Sequence, residues 1–262
     1  MSEAFVILPS LVVFFRVIYF IADCLIRHHK PEWEFSRRRL LAVRIVSFCH
    51  AFISGILCLT TLSLNPGLIV DPYLSKSQLA VYLAYFSMGY FMHDFIDIIV
   101  YGEASVSKEY IIHHTLSFTG LTAILRSEQL LGLASVCLLA EVQTIFLHLR
   151  AILQLTSFGT TKLYTAVAKA NLITMFMFRH CPTTYLLYYL TFDEDRAPIW
   201  LRVFLQAGLA FLFYHNVHLT TSFLRIDGYI GSDADRDLYD VVDPLGDISK
   251  KAAANKPTQK IS

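Results

Sequence analysis

The sequence predicts an all-α integral membrane protein of about seven transmembrane helices, and three observations carry that prediction. First, 55% of the 262 residues are hydrophobic and only 16% are charged, whereas a soluble domain carries about 25% charged residues to solvate its surface; the mean hydropathy is +0.50. Second, apolar stretches of roughly 20 residues, enough to cross a bilayer as helix, recur seven times between turn or charge signals. Third, the alternating short strands of a membrane barrel are absent, and a chain in lipid must satisfy its backbone groups internally.

The first span, near 4–26, is too long for a signal-peptide core, contains Arg16 and lacks a small-residue cleavage site, so it reads as a retained span. A basic loop, 27–41, follows. The second span, near 42–64, stops at Asn65–Pro66–Gly67, and the third, near 78–101, at Gly102–Glu103. The fourth, near 110–125, is the shortest and ends at Arg126–Ser127–Glu128. The fifth, near 129–153, reads as one continuous helix closed by Ser157–Phe158–Gly159. The sixth, near 163–190, contains Pro182, which should kink it, and ends at Asp193–Glu194–Asp195. The seventh runs near 198–224. The chain thus divides into a leading span and basic loop (1–39), a six-span unit (40–225) and a polar, partly disordered tail (226–262).

Lys/Arg placement sets orientation. Arg27, Lys30, Arg37, Arg38 and Arg39 crowd the first loop and place it in the cytosol, which puts the amino terminus in the lumen or exterior. The tail then falls in the cytosol, where Lys250, Lys251, Lys256 and Lys260 agree with the rule. A formal net charge of +1 removes the basic-field argument for nucleic acid. Cys24, Cys49, Cys58, Cys137 and Cys181 lie in apolar runs without CxxC spacing and read as reduced, small apolar residues.

Function must be sought among ionisable groups at bilayer depth, since each costs about 2.5–3.5 kcal/mol to insert and so faces a cavity or a partner. In the third span Tyr90, Asp94, Asp97 and Tyr101 step by four, three and four, making one polar stripe beside His93. Two carboxylates so close repel unless a cation or shared proton intervenes; the bland alternative is an ion pair between helices, with Arg179 as the buried partner. The fourth span opens with His113–His114, and His113, Ser117 and Gly120 share a face. An imidazole can take and return a proton near neutral pH, although a His–His pair at a membrane boundary is common.

The fifth span carries Glu141, Thr144 and His148 on one face, with Arg150 near its end; a mid-helix glutamate cannot snorkel and needs a partner. His50 lies two turns into the second span. The sixth adds Lys169, Asn171, Arg179 and His180, and the seventh His215, Asn216 and His218. Several could be interhelical glue worth about 0.6 kcal/mol each, but together they suggest a polar chamber. The repeated histidine boxes of a di-iron oxygenase, a HExxH helix and a GxSxG elbow are all missing.

Four blocks in order, RIVSFCHAFISG (Arg44–Gly55), GYFMHDFID (Gly89–Asp97), HHTLSFTG (His113–Gly120) and LLAEVQTIFLHLR (Leu138–Arg150), resemble the TLC-domain family, which includes the ceramide synthases. The one-plus-six arrangement is similar to the small TLC-domain-containing proteins. The resemblance implies a six-helix barrel around a lipid-accessible cavity, with the histidine pair inside. Ceramide synthases use such a pair to N-acylate a sphingoid base from fatty acyl-CoA. Their downstream paired aspartates are not matched: Glu141 stands near the first, and Thr144 follows where a carboxylate would be expected.

The leading expectation is acyl-CoA-dependent acyl transfer to a lipid amine or hydroxyl. His113 or His114 would be the base, Glu141 or Asp94 would orient it, and Asp97, His50, His148, Arg150 and Arg179 would contact substrate. No metal or cofactor is needed, acyl-CoA serving as co-substrate. The expected partners are membrane lipids and acyl-CoA, not nucleic acid, with self-association left open. A non-catalytic lipid sensor or trafficking adaptor is the alternative, and an ion or solute transporter the third reading. The family points to the endoplasmic reticulum, with the plasma membrane as the other candidate.

Overall fold

The computed structural model describes residues 4–101, 108–193 and 196–231. The expectations placed on the first three residues, on Gly102–Glu103, on Glu194–Asp195 and on the lysines of the tail fall outside that range. Among the described residues all regular structure is helical: α1 (Ala4–His29), α2 (Phe35–Leu64), a single turn α3 (Gly67–Val70), α4 (Gln78–Val100), α5 (Lys108–Ser127), α6 (Leu131–Cys137), α7 (Ala140–Leu155), α8 (Lys162–Met175), α9 (Cys181–Tyr188) and α10 (Ile199–Ile226). Each of the seven apolar segments is therefore a helix or a run of joined helices. Three of them, Phe5–His29, Phe35–Leu64 and Leu131–Leu155, are long and apolar enough to cross a membrane by length and composition. The other four are diluted by polar residues.

Six stretches close into a ring. α2 runs along α7, α7 along α8, α8 and α9 meet α10, and α10 meets α5; α5 lies on α4, which returns to α2. The seam between α5 and α10 is the thinnest of these. Outside the ring, α1 covers α2 and α4 with a helical stripe of Phe15, Tyr19, Ala22 and Ile26, all buried. Gly89 permits that approach, since a Cβ there would stand 2.4 Å from the Leu11 Cβ.

Two segments are interrupted, the fifth against the sequence expectation. The fifth is broken, not continuous: α6 ends at Cys137, α7 begins at Ala140, and the amides of Glu141 and Val142 bond three residues back to Leu138 and Leu139. No proline or glycine marks this break. Glu141 consequently stands in the first turn of α7, where the positive end of the helix dipole favours a carboxylate. In the sixth segment the helix is interrupted beside Pro182. The chain widens there into a π-helical turn over Phe176–His180, just before the position where proline lacks an amide to donate.

Candidate functional site

A cavity of about 120 Å³ lies inside the ring between α5, α6, α7, α9 and α10. Its walls change character along their length. At one end stand His113, Glu141, Arg179, Thr183 and Asn216; beyond them Ser117, Gly120 and Ile124 of α5 face Leu133 of α6 and Leu205 of α10. The expected common face of His113, Ser117 and Gly120 is thus the face that lines the cavity. The π-turn carries Arg179, and a widened turn of this kind often marks a functional position because it re-aims side chains.

The two adjacent histidines play different parts. His113 lines the cavity, and among the described residues its Nδ1 has no hydrogen-bond partner. His114 turns the other way: its Nδ1 is 2.9 Å from Asp94 Oδ2, and its ring stacks on Phe91 at 5.2 Å. Phe91 also meets the edge of His113 at 6.4 Å. On its other side His113 faces His215 of α10, with ring centroids 6.3 Å apart.

Glu141 connects the cavity to a second buried layer. Its Oε2 is 3.7 Å from His50 Nδ1. His50 is 1% exposed and lies flat on Tyr90, centroids 3.9 Å apart and planes 8° off parallel. The Tyr90 hydroxyl donates to Ser47 Oγ at 2.9 Å. Phe15 of α1 closes this layer, 6.0 Å from His50 and 5.4 Å from Tyr90. His148 is buried two turns further along α7 from Glu141, and its Nδ1 has no hydrogen-bond partner among the described residues. Arg179 donates to Thr144 Oγ1 at 2.8 Å and to Asn216 Oδ1 at 3.3 Å.

Four expectations need correction. Arg179 is not the partner of the Asp94–Asp97 pair. Asp94 is met by His114, whereas Asp97 is clamped by Arg16 at 2.7 Å and Arg39 at 2.8 Å. Asp97 therefore holds α1 and α2 to α4 and does not face the cavity. Arg150 is not free to meet a phosphate: it is fully buried, pairs with Asp227, and donates from Nε to the Tyr164 hydroxyl at 3.2 Å beside the ring of Phe223. It locks α7 to the end of α10. Lys169 is exposed on the outer surface of α8, and His180 contacts Thr220 at 2.8 Å, so neither joins the chamber. Asn171 bonds Gln143 at 2.7 Å as interhelical glue.

Thr183, Gly208, Phe91 and Phe15 belong to the site or its wall without having been singled out from the sequence. Only the Gly208 signal, a small residue within an apolar helix, was there to find.

A TLC-domain family model matches residues 41–225. The relatives of this chain include TLC domain-containing protein 1 of Gallus gallus, 31% identical over 203 residues, covering 74% of this chain and 79% of that protein. The Homo sapiens protein of the same name is 29% identical over 182 residues, covering 68% and 74%. TLC domain-containing protein 2 of Danio rerio is 27% identical over 181 residues, covering 69% and 74%. No solved structure matches the chain.

Proposed function

The chain belongs to the TLC-domain family, and on that premise we propose that it is a lipid-metabolism protein transferring an acyl group from fatty acyl-CoA to a membrane lipid amine or hydroxyl. One observation carries the proposal: a cavity inside the helical ring whose wall joins apolar residues to His113, Glu141 and Arg179. His113 Nδ1 takes the proton of the acceptor amine or hydroxyl as its nitrogen or oxygen attacks the thioester carbonyl. The carbon–sulfur bond then breaks, and the departing CoA sulfur takes up that proton. Arg179 supplies the positive charge that an oxyanion would need. Asp94 fixes the ring of His114, and Glu141 with His50 holds the polar end in place.

The CoA phosphates fall to the first loop, since Arg150 is committed elsewhere; Arg27 and Lys30 are exposed there. On this reading the loop lies in the cytosol and the amino terminus in the lumen or exterior, and the membrane we propose is that of the endoplasmic reticulum, with the plasma membrane as the alternative. Purified protein given labelled acyl-CoA with sphingoid bases and lysophospholipids should form acylated lipid. His113→Ala should lower turnover by about 10²–10⁴, the usual contribution of a general base. Full turnover in that variant would refute the mechanism. One observation favours a binding-only sensor or adaptor instead: Thr144 stands where a second carboxylate would be expected, and its hydroxyl is already bonded to Arg179. A bound lipid copurifying unchanged while no acyl-CoA is consumed would establish that reading.

A further inference from the structure

We propose that a lipid hydrocarbon chain enters the cavity sideways, through a slot between α5 and α10 whose two lips are Gly120 and Gly208. The inference rests on the cavity being a lipid site.

Both glycines line the cavity from neighbouring helices. A Cβ built on either meets nothing within 4 Å. This is not what glycine does elsewhere in the chain: at Gly89 and Gly132 a Cβ would run into Leu11 at 2.4 Å and the Leu68 carbonyl at 2.1 Å, so those two allow close packing. Gly120 and Gly208 keep a space open. α5 and α10 come together at His113–His215 and face each other across the cavity farther along, at Gly120 and Gly208, in the thinnest seam of the ring.

Among the described residues, both ends of the ring carry ties between helices or loops. At the end where α6 begins, the Leu130 amide bonds the Tyr73 carbonyl at 2.8 Å, and the Tyr73 hydroxyl donates to Gln129 at 2.7 Å and to the Arg196 carbonyl at 3.1 Å. Three loops are thereby tied across that end. Toward the other end, Arg150 and Asp227 tie α7 to α10. The wall beside the two glycines is apolar, with Leu121 on α5 and Leu205 and Leu209 on α10, and such a wall in a membrane protein suits a lipid hydrocarbon chain. From His113 to Ile124 the α5 wall rises about 16 Å, close to half of the roughly 30 Å hydrocarbon layer. One chain of one leaflet fits that depth.

The test uses the full chain in phospholipid vesicles containing a diazirine-bearing fatty acid, irradiated and mapped by mass spectrometry. Adducts should form on the α6 wall, at Leu133–Leu138, as well as on the exposed outer face of α1 at Phe14 and Phe20. In Gly120→Leu and in Gly208→Leu the α6 adducts should fall at least five-fold while the α1 adducts stay constant; the constant α1 pattern and a retained monodisperse elution report an intact fold. Gly120→Ala should give a smaller decrease. Unchanged α6 adducts in both leucine variants would overturn the slot while leaving the cavity a lipid site. Absence of α6 adducts in the parent protein would overturn the lipid cavity itself, and the slot with it.

Discussion

His114 stands 2.9 Å from the Asp94 carboxylate, and this contact assigns the adjacent histidines to different tasks. His114 is held against α4, which leaves His113 facing the cavity. Asp94→Asn should therefore act through positioning. In acyl-transfer assays we expect kcat to fall at least ten-fold with KM nearly unchanged, and the pH profile to shift. Loss of KM alone would argue against this role.

Asp97 should matter for stability and not for turnover per molecule. It neutralises Arg16 and Arg39, and its side chain is 5% exposed. Removing one member of a buried charge cluster strands the others at a cost of about 3–5 kcal/mol. Asp97→Ala should lower the thermal unfolding midpoint in detergent strongly. Combining it with Arg16→Met should recover part of the loss, because one stranded cation is removed.

The glycines separate into two classes. Gly132→Ala would press a methyl group onto backbone at Leu68 and should cost about 1–3 kcal/mol, as overpacking does. Gly120→Ala meets open space and should be neutral or stabilising by up to about 1 kcal/mol, since alanine is the better helix former. Paired thermal melts decide this; equal losses at both positions would contradict the packing described.

Arg150→Lys keeps the charge but loses the planar fork that meets both Asp227 oxygens and the Tyr164 hydroxyl. The expected result is a lower melting temperature with no change in KM for acyl-CoA. A raised KM at unchanged stability would return Arg150 to the substrate.

Outside the spans, the Arg196 guanidinium bonded to Asp71 holds its carboxyl below the ordinary carboxylate range. A carboxylate with a lowered folded-state value stabilises above its unfolded value, about 3.9, and that contribution disappears as pH falls through the folded one. The pair is exposed at 40% and 39%, so the effect is about 0.2–1 kcal/mol at most and screened by salt. Asp71→Asn should leave stability unchanged once the pH is well below the folded-state value and lower it slightly at pH 7, less so in 1 M salt.

Much of the site was legible as a set of residues but not as a set of contacts. Helical spacing alone put His113, Ser117 and Gly120 on one face and drew the polar stripe through Asp94 and Asp97. It could not say that Asp97 would meet Arg16, 81 positions away, or that Arg150 would meet Asp227, 77 positions away. The break before Glu141 was also hidden, because Cys137–Leu138–Leu139–Ala140 contains no helix breaker.

By itself the sequence determined that this is a helical membrane protein with costly polar groups inside its spans. Apolar length and the need to satisfy backbone groups in lipid act locally, one helix at a time. Tertiary structure alone decided which of those groups face the cavity and which neutralise one another. A buried charge is stabilised or stranded by what the neighbouring helix brings within about 4 Å, and that neighbour is set by packing across the ring, not by spacing along the chain.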